Sequence, residues 1–385
     1  MKRHSDANTE KNVYYLRVSR KIRNIKYISL LFMVVSAFLI LWAYKENLTY
    51  GNLRYLLRDI DEAGTAATVT DTVYYAADEK NTFAYYRDDL AVGSTSGITF
   101  HRAFGSRSFA DEVNFKAPVL AVSDKYLLAA DIGGYHFYVY NSLGRVYDEK
   151  TENEIISIAS ADNGGFAVAV KNKKGGADIS VYDRNFKKTA LLTRVGDVYS
   201  IGFLSNGELY ICESDVENAS LCTDISLYKD GAAETFGSVR ESGIVFGIKS
   251  VKGGYFVLTN RAVSLYSGGE KVKTKSFGTS SPLFADFTKD GLAILLKENS
   301  SGEGYGVYRF ASEGEDEYYK VQKGAKGIAV CGKKICVLYE GYVFVCSGDE
   351  NSEIEIPYGA RDILPKDNGS IIVCYNDYAK ILTVK

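Results

Sequence analysis

The sequence predicts an all-β ring, a β-propeller of eight four-stranded blades with seven as the alternative count, preceded by an N-terminal transmembrane helix. Three observations carry that reading: a short polar turn that recurs eight times, a second ladder of strands in step with it, and one uncharged stretch near the N-terminus. The turns are rich in Asp, Asn, Gly and Lys and stand between apolar strands, at 87–89, 123–125, 162–165, 205–207, 252–254, 289–291, 332–334 and 367–369. Their spacing of about 35 to 47 residues suits one supersecondary unit repeated around an axis.

About 11 to 21 residues after each turn comes a strand that ends in an aromatic or branched apolar residue. These strands fall at 97–100, 136–140, 178–182, 224–228, 262–266, 305–308, 342–344 and 379–382. Polar and apolar residues alternate within several of them, as a strand with two unlike faces requires, and Val, Ile, Tyr and Phe suit a pleated surface. Composition agrees, since 4 Pro, 36 Gly and 30 Tyr fit many short strands joined by tight turns. A formal net charge of −2 excludes a strong global field, and with it nucleic acid as a partner for the bulk of the chain. One repeat has no core of its own, so the ring counts as a single domain despite its length.

The blades divide near 80–115, 116–153, 154–195, 196–241, 242–279, 280–322, 323–357 and 358–385. After the last turn only 370–375 and 380–384 remain, which leaves the final unit short of an outer strand. Residues 72–77 (TVYYAA) supply it, and joining the two ends of the domain removes the open sheet edge.

Residues 28–44 (ISLLFMVVSAFLILWAY) carry no charge and lie at the short end of what crosses a bilayer core, with Tyr27, Trp42 and Tyr44 where interfacial aromatics sit. Ahead of them stand Lys2, Arg3, Lys11, Arg17, Arg20, Lys21, Arg23 and Lys26 against Asp6 and Glu10. That bias places the N-terminus in the cytoplasm and the ring outside a membrane crossed once. A cleaved signal peptide is the rival, but the leader is long and Leu41 and Ala43 fit the cleavage rule poorly. The organisation read from the chain is a basic cytoplasmic tail at 1–27, a signal-anchor helix at 28–44, an amphipathic helix and linker at 45–70, and the extracytoplasmic propeller at 71–385. Within the third segment Leu53, Leu56, Leu57 and Ile60 share one helix face, which packs on the base of the ring or lies on the membrane surface.

This layout resembles an uncharacterised bacterial family of single-pass membrane proteins, and the region from about 70 to 385 resembles their extracytoplasmic, quinoprotein-like eight-bladed propellers. The tryptophan docking motifs of quinoprotein dehydrogenases are missing, because Trp42 is the sole Trp, so no quinone and no other cofactor is expected. The Gly-His and Trp-Asp signatures of common cytoplasmic propellers are missing too, and Ser160-Ala161-Asp162-Asn163-Gly164 imitates a sialidase turn without its Trp.

Chemistry is sparse. His101 and His136 are the only imidazoles of the ring and read as strand-surface residues, too few for a zinc site. No Gly-x-Ser-x-Gly elbow is present. The acidic groups Glu313, Glu315, Asp316 and Glu317, and Asp349, Glu350 and Glu353, lack the spacing of a calcium loop and read as solvated connections. No catalytic, cofactor or metal residue is assigned. The six cysteines stand outside the membrane in this topology, where disulfides form. Cys331 and Cys336 flank one hairpin turn, Cys212 and Cys222 fall on neighbouring strands, and Cys346 and Cys374 remain as a third pair; six small buried hydrophobes are the other reading.

These readings describe a membrane-anchored interaction or scaffold module at the bacterial cell envelope, with an envelope protein as partner and no catalytic activity apparent. The alternative is a saccharide-binding or hydrolytic propeller that acts on cell-wall polymer at the channel mouth.

Overall fold

The computed structural model describes residues 3–43, 71–102, 107–229, 235–288, 291–298, 304–348, 350–367 and 369–384. They fall into two compact units, Met1–Ala66 and Ala67–Lys385. In the first, the described part is one helix of 41 residues, Arg3–Ala43. Among the described residues no helix is long and apolar enough to cross a membrane. The uncharged run inside it, 28–43, measures about 24 Å at 1.5 Å per residue, against a hydrocarbon core of about 30 Å. Its side chains are exposed on successive positions all round the helix, Ile28, Leu31, Phe32, Val35, Phe38 and Leu39 among them. Tyr44 and the expected amphipathic helix and linker at 45–70 lie outside the described residues.

The second unit is eight four-stranded antiparallel sheets, which settles the blade count at eight. Blades 1 to 7 span 82–111, 118–150, 155–194, 197–242, 245–276, 281–321 and 327–355, and each is a meander whose strands pair in chain order. Blade 8 spans 362–383 and takes its outer strand from the other end of the domain, Thr72–Tyr74, which pairs with Tyr378–Thr383 in the register Thr72↔Lys380. The expected closing strand is therefore present and shorter than expected. First strands of most neighbouring blades touch one another, so they form the inner wall of the ring.

Every one of the eight predicted turns joins a first strand to a second, and every member of the second ladder is a third strand. The turns are visible because tight hairpins demand left-handed backbone, which Gly supplies at Gly207 (φ 84°) and Gly253 (φ 84°). Blade 1 has no glycine in its turn and places Arg87 (φ 47°) and Asp88 (φ 64°) there instead. Because the meanders are antiparallel, first-to-second and third-to-fourth turns share one end of the ring, the turn face. Second-to-third turns and the links between blades share the other, the connector face.

The apolar core is divided into eight clusters, one at each blade interface. Tyr86 and Ile98 of blade 1 pack on Leu127 and Tyr140 of blade 2, and the ring closes where Val73, Ile372 and Ala379 meet Leu90 and Val92. A blade alone would leave such faces in water. Polar contacts fix how neighbours meet. Tyr140 Oη donates to Asp111 Oδ2 at 2.8 Å, Tyr182 Oη to Glu149 Oε2 at 2.9 Å, and Tyr266 Oη to Glu241 Oε1 at 2.6 Å. In blade 4 the direction reverses, as Arg194 Nη1 donates to Tyr228 Oη at 2.7 Å while the same guanidinium pairs with Glu213. Each tyrosine sits on a third strand and each partner on the outer strand of the preceding blade.

Burial, and then the Glu241 hydrogen bond, raise the Tyr266 phenol above its ordinary value. Its stabilising contribution is therefore complete below about pH 10 and is lost as pH rises beyond that. Tyr266→Phe leaves Glu241 with Lys271 as its remaining partner, 2.9 Å away. The variant is expected to lose about 2 kcal/mol in urea denaturation at pH 7, with the gap to the parent narrowing above about pH 10.

Candidate functional site

The exposed large apolar side chains of the ring are unevenly distributed between its two ends. On the connector face stand Val119, Tyr135, Val195, Val216, Phe246, Leu283 and Tyr358, with Val195 78%, Phe246 59% and Tyr358 80% exposed; on the turn face, among the described residues, Val122 stands alone. Of the remainder, Phe284 lies on the first strand of blade 6, and the others, such as Val146 and Val272, lie on outer strands.

A repeated irregularity aims several of these residues. The first strands of blades 3, 4, 5 and 6 each carry a register shift at the same place, between Ile155 and Ser157, Val198 and Ser200, Val245 and Gly247, and Pro282 and Phe284. The extra residues are Ile156, Tyr199, Phe246 and Leu283. Blades 1, 2 and 7 pair without a shift there. A bulge puts two residues opposite one and turns a side chain out of the alternation, which is how Phe246 and Leu283 reach solvent at the connector end of the inner wall. Tyr199 instead turns inward, its Oη 2.8 Å from Thr223 Oγ1 and accepting the Val245 N–H at 2.9 Å. Gly247 follows the blade 5 bulge because a Cβ there would meet the Phe287 ring at 2.9 Å. The sequence signal was the apolar run Ile244-Val245-Phe246 broken by that glycine inside a strand.

At the turn-face end of the inner wall a cavity of about 810 Å³ is bounded by Asp124 and Asp162 on one side and by Lys249, Lys252 and Phe287 on the other. Nearby, Asp286 on the first strand of blade 6 accepts the Val330 N–H of blade 7 at 2.7 Å. Burial raises its carboxyl above the ordinary range, with the Val330 and Phe287 amides opposing. Asp362, at the start of blade 8, is raised by burial in the same way. Asp286 thus serves as a bond between inner strands.

The residues singled out from sequence are dispersed. His136 is exposed and stacks on Tyr138, whereas His101, expected on a strand surface, is buried with Nε2 3.1 Å from Thr99 Oγ1. Its register opposite Leu90 turns it towards Tyr75 beside the closing strand. Asp316 accepts from Lys273 Nζ and Tyr308 Oη, both at 2.7 Å, Glu317 accepts from Tyr319 Oη at 2.8 Å, and Glu313 pairs with Lys252 at 3.4 Å. Glu315 and Glu353 are exposed, and Asp349 and the side chain of Glu350 lie outside the described residues. Among the described residues no group of three or more His, Cys, Asp or Glu is placed to hold a metal ion.

All six cysteines are buried, and none of the three expected pairings is present. Register explains each case. Cys331 lies opposite Lys334 while Cys336 lies opposite Ala329, a diagonal offset across the hairpin. Cys212 faces Ile225 and Cys222 faces Asp215, three positions apart. Cys346 packs between blades 6 and 7, Cys374 between blades 8 and 1. Burial pushes the Cys212, Cys336 and Cys346 thiols up to about 12, so they stay protonated at neutral pH.

Because the charged form of Asp286 is disfavoured in the ring, its contribution favours folding below the ordinary carboxylate value near about pH 4 and fades as pH rises through the raised one. Asp286→Asn keeps an acceptor for Val330 and removes the buried charge. Urea denaturation is expected to find the variant more stable than the parent at pH 7 and equal to it by about pH 3.

No curated protein matches the chain. Among solved structures the fold is similar to Sqt1 of Saccharomyces cerevisiae, at 10% identity and a TM-score of 0.60 over 81% of this chain and 98% of that one. It is similar also to BamB from Moraxella catarrhalis, at 10% identity and a TM-score of 0.53 over 82% and 99%. At that identity the likeness is one of fold. The sequence matches the family of unknown function DUF5711 across residues 62–382, and the chain belongs to that family.

Proposed function

We propose that this chain is a membrane-anchored interaction module of the bacterial cell envelope, whose ring docks a protein partner through the connector face. The observation that carries the docking role is the one-sided display of apolar side chains, with Phe246 and Leu283 turned out by bulges at the inner wall. Aromatic and branched residues ringed by polar loops are what a protein interface buries at its centre. The anchoring part rests on the N-terminal helix. A segment apolar on every side has no stable place in water, and the uncharged run continues to Tyr44 behind a basic leader. The orientation follows from that leader, with the tail in the cytoplasm and the propeller outside.

The alternative, a saccharide-binding or hydrolytic propeller at the channel mouth, keeps one feature in its favour, the cavity of about 810 Å³ that carries Asp124 and Asp162. Site-specific photo-crosslinking in cells separates the two. A crosslinker at Phe246 or Tyr358 is expected to trap one recurrent protein, and one at Lys125 on the turn face to trap none. Phe246→Asp combined with Leu283→Asp is expected to weaken capture by about tenfold or more while the fold persists. Equal capture from both faces would defeat the docking proposal. Recovery of the protein in an alkali-washed soluble fraction would defeat the anchor.

A further inference from the structure

A cleft of about 600 Å³ opens on the turn face between blades 4 and 5. Leu204, Leu227 and Tyr255 line it together with Glu208, Ser238 and Ser250. Ser250 Oγ also accepts the Ser205 N–H at 2.7 Å, so the inner turns of the two blades are tied to each other at the cleft. Tyr255 is 7% exposed, and its hydroxyl has no hydrogen-bond partner among the described residues.

The repeat supplies the control for that hydroxyl. Tyr255 stands on a second strand opposite Tyr266. The corresponding residue is leucine in blades 1, 2, 4 and 6, isoleucine in blades 7 and 8, and phenylalanine in blade 3. The other blades build this position from hydrocarbon, so the ring does not need the oxygen. Burying it unpaired is a net cost to folding. A cost carried in one repeat alone is accounted for by a partner that arrives in the cleft from outside.

The lining decides what kind of partner. Glu208 is its one charged side chain among the described residues, and no Lys or Arg lines it, so a phosphate or carboxylate would find no counter-charge. A carboxylate can only accept, the serine hydroxyls both accept and donate, and the apolar residues suit the C–H face of a sugar ring. Burial, followed by the Glu208 and Glu241 carboxylates, pushes the Tyr255 phenol up to about 12, which keeps it a donor at neutral pH. We propose that this cleft binds an uncharged saccharide of about one or two hexose units, with the Tyr255 hydroxyl donating to a ring oxygen and Glu208 accepting from sugar hydroxyls. The site is on the opposite face from the proposed protein dock, and either stands without the other.

Calorimetric titration of the full chain with cellobiose, maltose and diacetylchitobiose, and with glucose 6-phosphate as the anionic control, tests it. At least one uncharged disaccharide is expected to bind, with affinity lowered about tenfold by Tyr255→Phe and by Glu208→Gln, and glucose 6-phosphate is expected not to bind. Ligand-free Tyr255→Phe is expected to melt at or above the parent temperature, since it removes only an unpaired hydroxyl. The proposal is overturned if none of the three disaccharides binds, if Tyr255→Phe binds as well as the parent, or if glucose 6-phosphate binds equally. A ligand-free Tyr255→Phe that melts several degrees lower would likewise overturn it, because the hydroxyl would then serve the fold.

Discussion

The ring depends on the strand Thr72–Tyr74 reaching the far end of the domain to complete blade 8. Every blade interface holds part of the core and no blade holds a core of its own, so one open seam would expose two sheet faces at once. Three paired residues are a short latch, and side chains reinforce it. The Tyr75 hydroxyl reaches the Tyr378 carbonyl at 2.6 Å and the Tyr375 carbonyl at 2.9 Å. Asn81 Nδ2 donates to Asn376 O at 3.2 Å and Arg361 Nη1 to Asp78 O at 2.9 Å. These contacts join residues 283 to 303 positions apart, so closure is decided by tertiary geometry and the strand itself can stay brief.

Once the ring is closed, its interfaces can be satisfied in different ways around the circle. Propellers that use tryptophan to lock blades have no counterpart in a chain whose sole Trp is Trp42. Blades 2 to 5 use the terminal tyrosine of the third strand against a polar side chain of the preceding outer strand. At the same register position blade 6 has Phe310, with the Lys273 ammonium 4.4 Å from the ring centre, and blades 7 and 8 have Cys346 and Leu382. At this register position the interface therefore grades from hydrogen-bonded to packed. Four of the buried cysteines, Cys331, Cys336, Cys346 and Cys374, belong to that second half, where small polarisable side chains fill space between sheets.

The blade count, the closing strand and the third-strand tyrosines were legible because each leaves a local chemical mark. Hairpin turns need left-handed residues, and Gly, Asn and Asp reveal them; the third strand ends on a ring that must reach a neighbour. What escaped the sequence depends on register. Cys331 and Cys336 flank a turn and still miss each other by one diagonal step, since pairing assigns Lys334 to Cys331. His101 looked like a surface residue until its place opposite Leu90 turned it inward. The bulges at Phe246 and Leu283 change pairing by one residue, and in the sequence they leave no more than a glycine or proline beside an apolar pair.

The contrast between the two faces follows from the same constraint. A tight turn between first and second strands must supply positive φ within two to five residues, and that demand is met by small or polar residues which offer little apolar area. The turn face is therefore committed to its polar character by the hairpins that build it. At the other end the second-to-third hairpins meet the same demand, with positive φ at Gly133, Gly175, Asn218, Ala219 and Gly341, but the links between blades are free of hairpin geometry, and bulges in the first strands of blades 3 to 6 shift side chains without breaking the ladder. Apolar residues can accumulate there at no cost to the repeat. Links and bulges leave the connector face free to vary its surface between its hairpins, and Val195 and Tyr358 in links and Phe246 and Leu283 in bulges stand where that freedom lies.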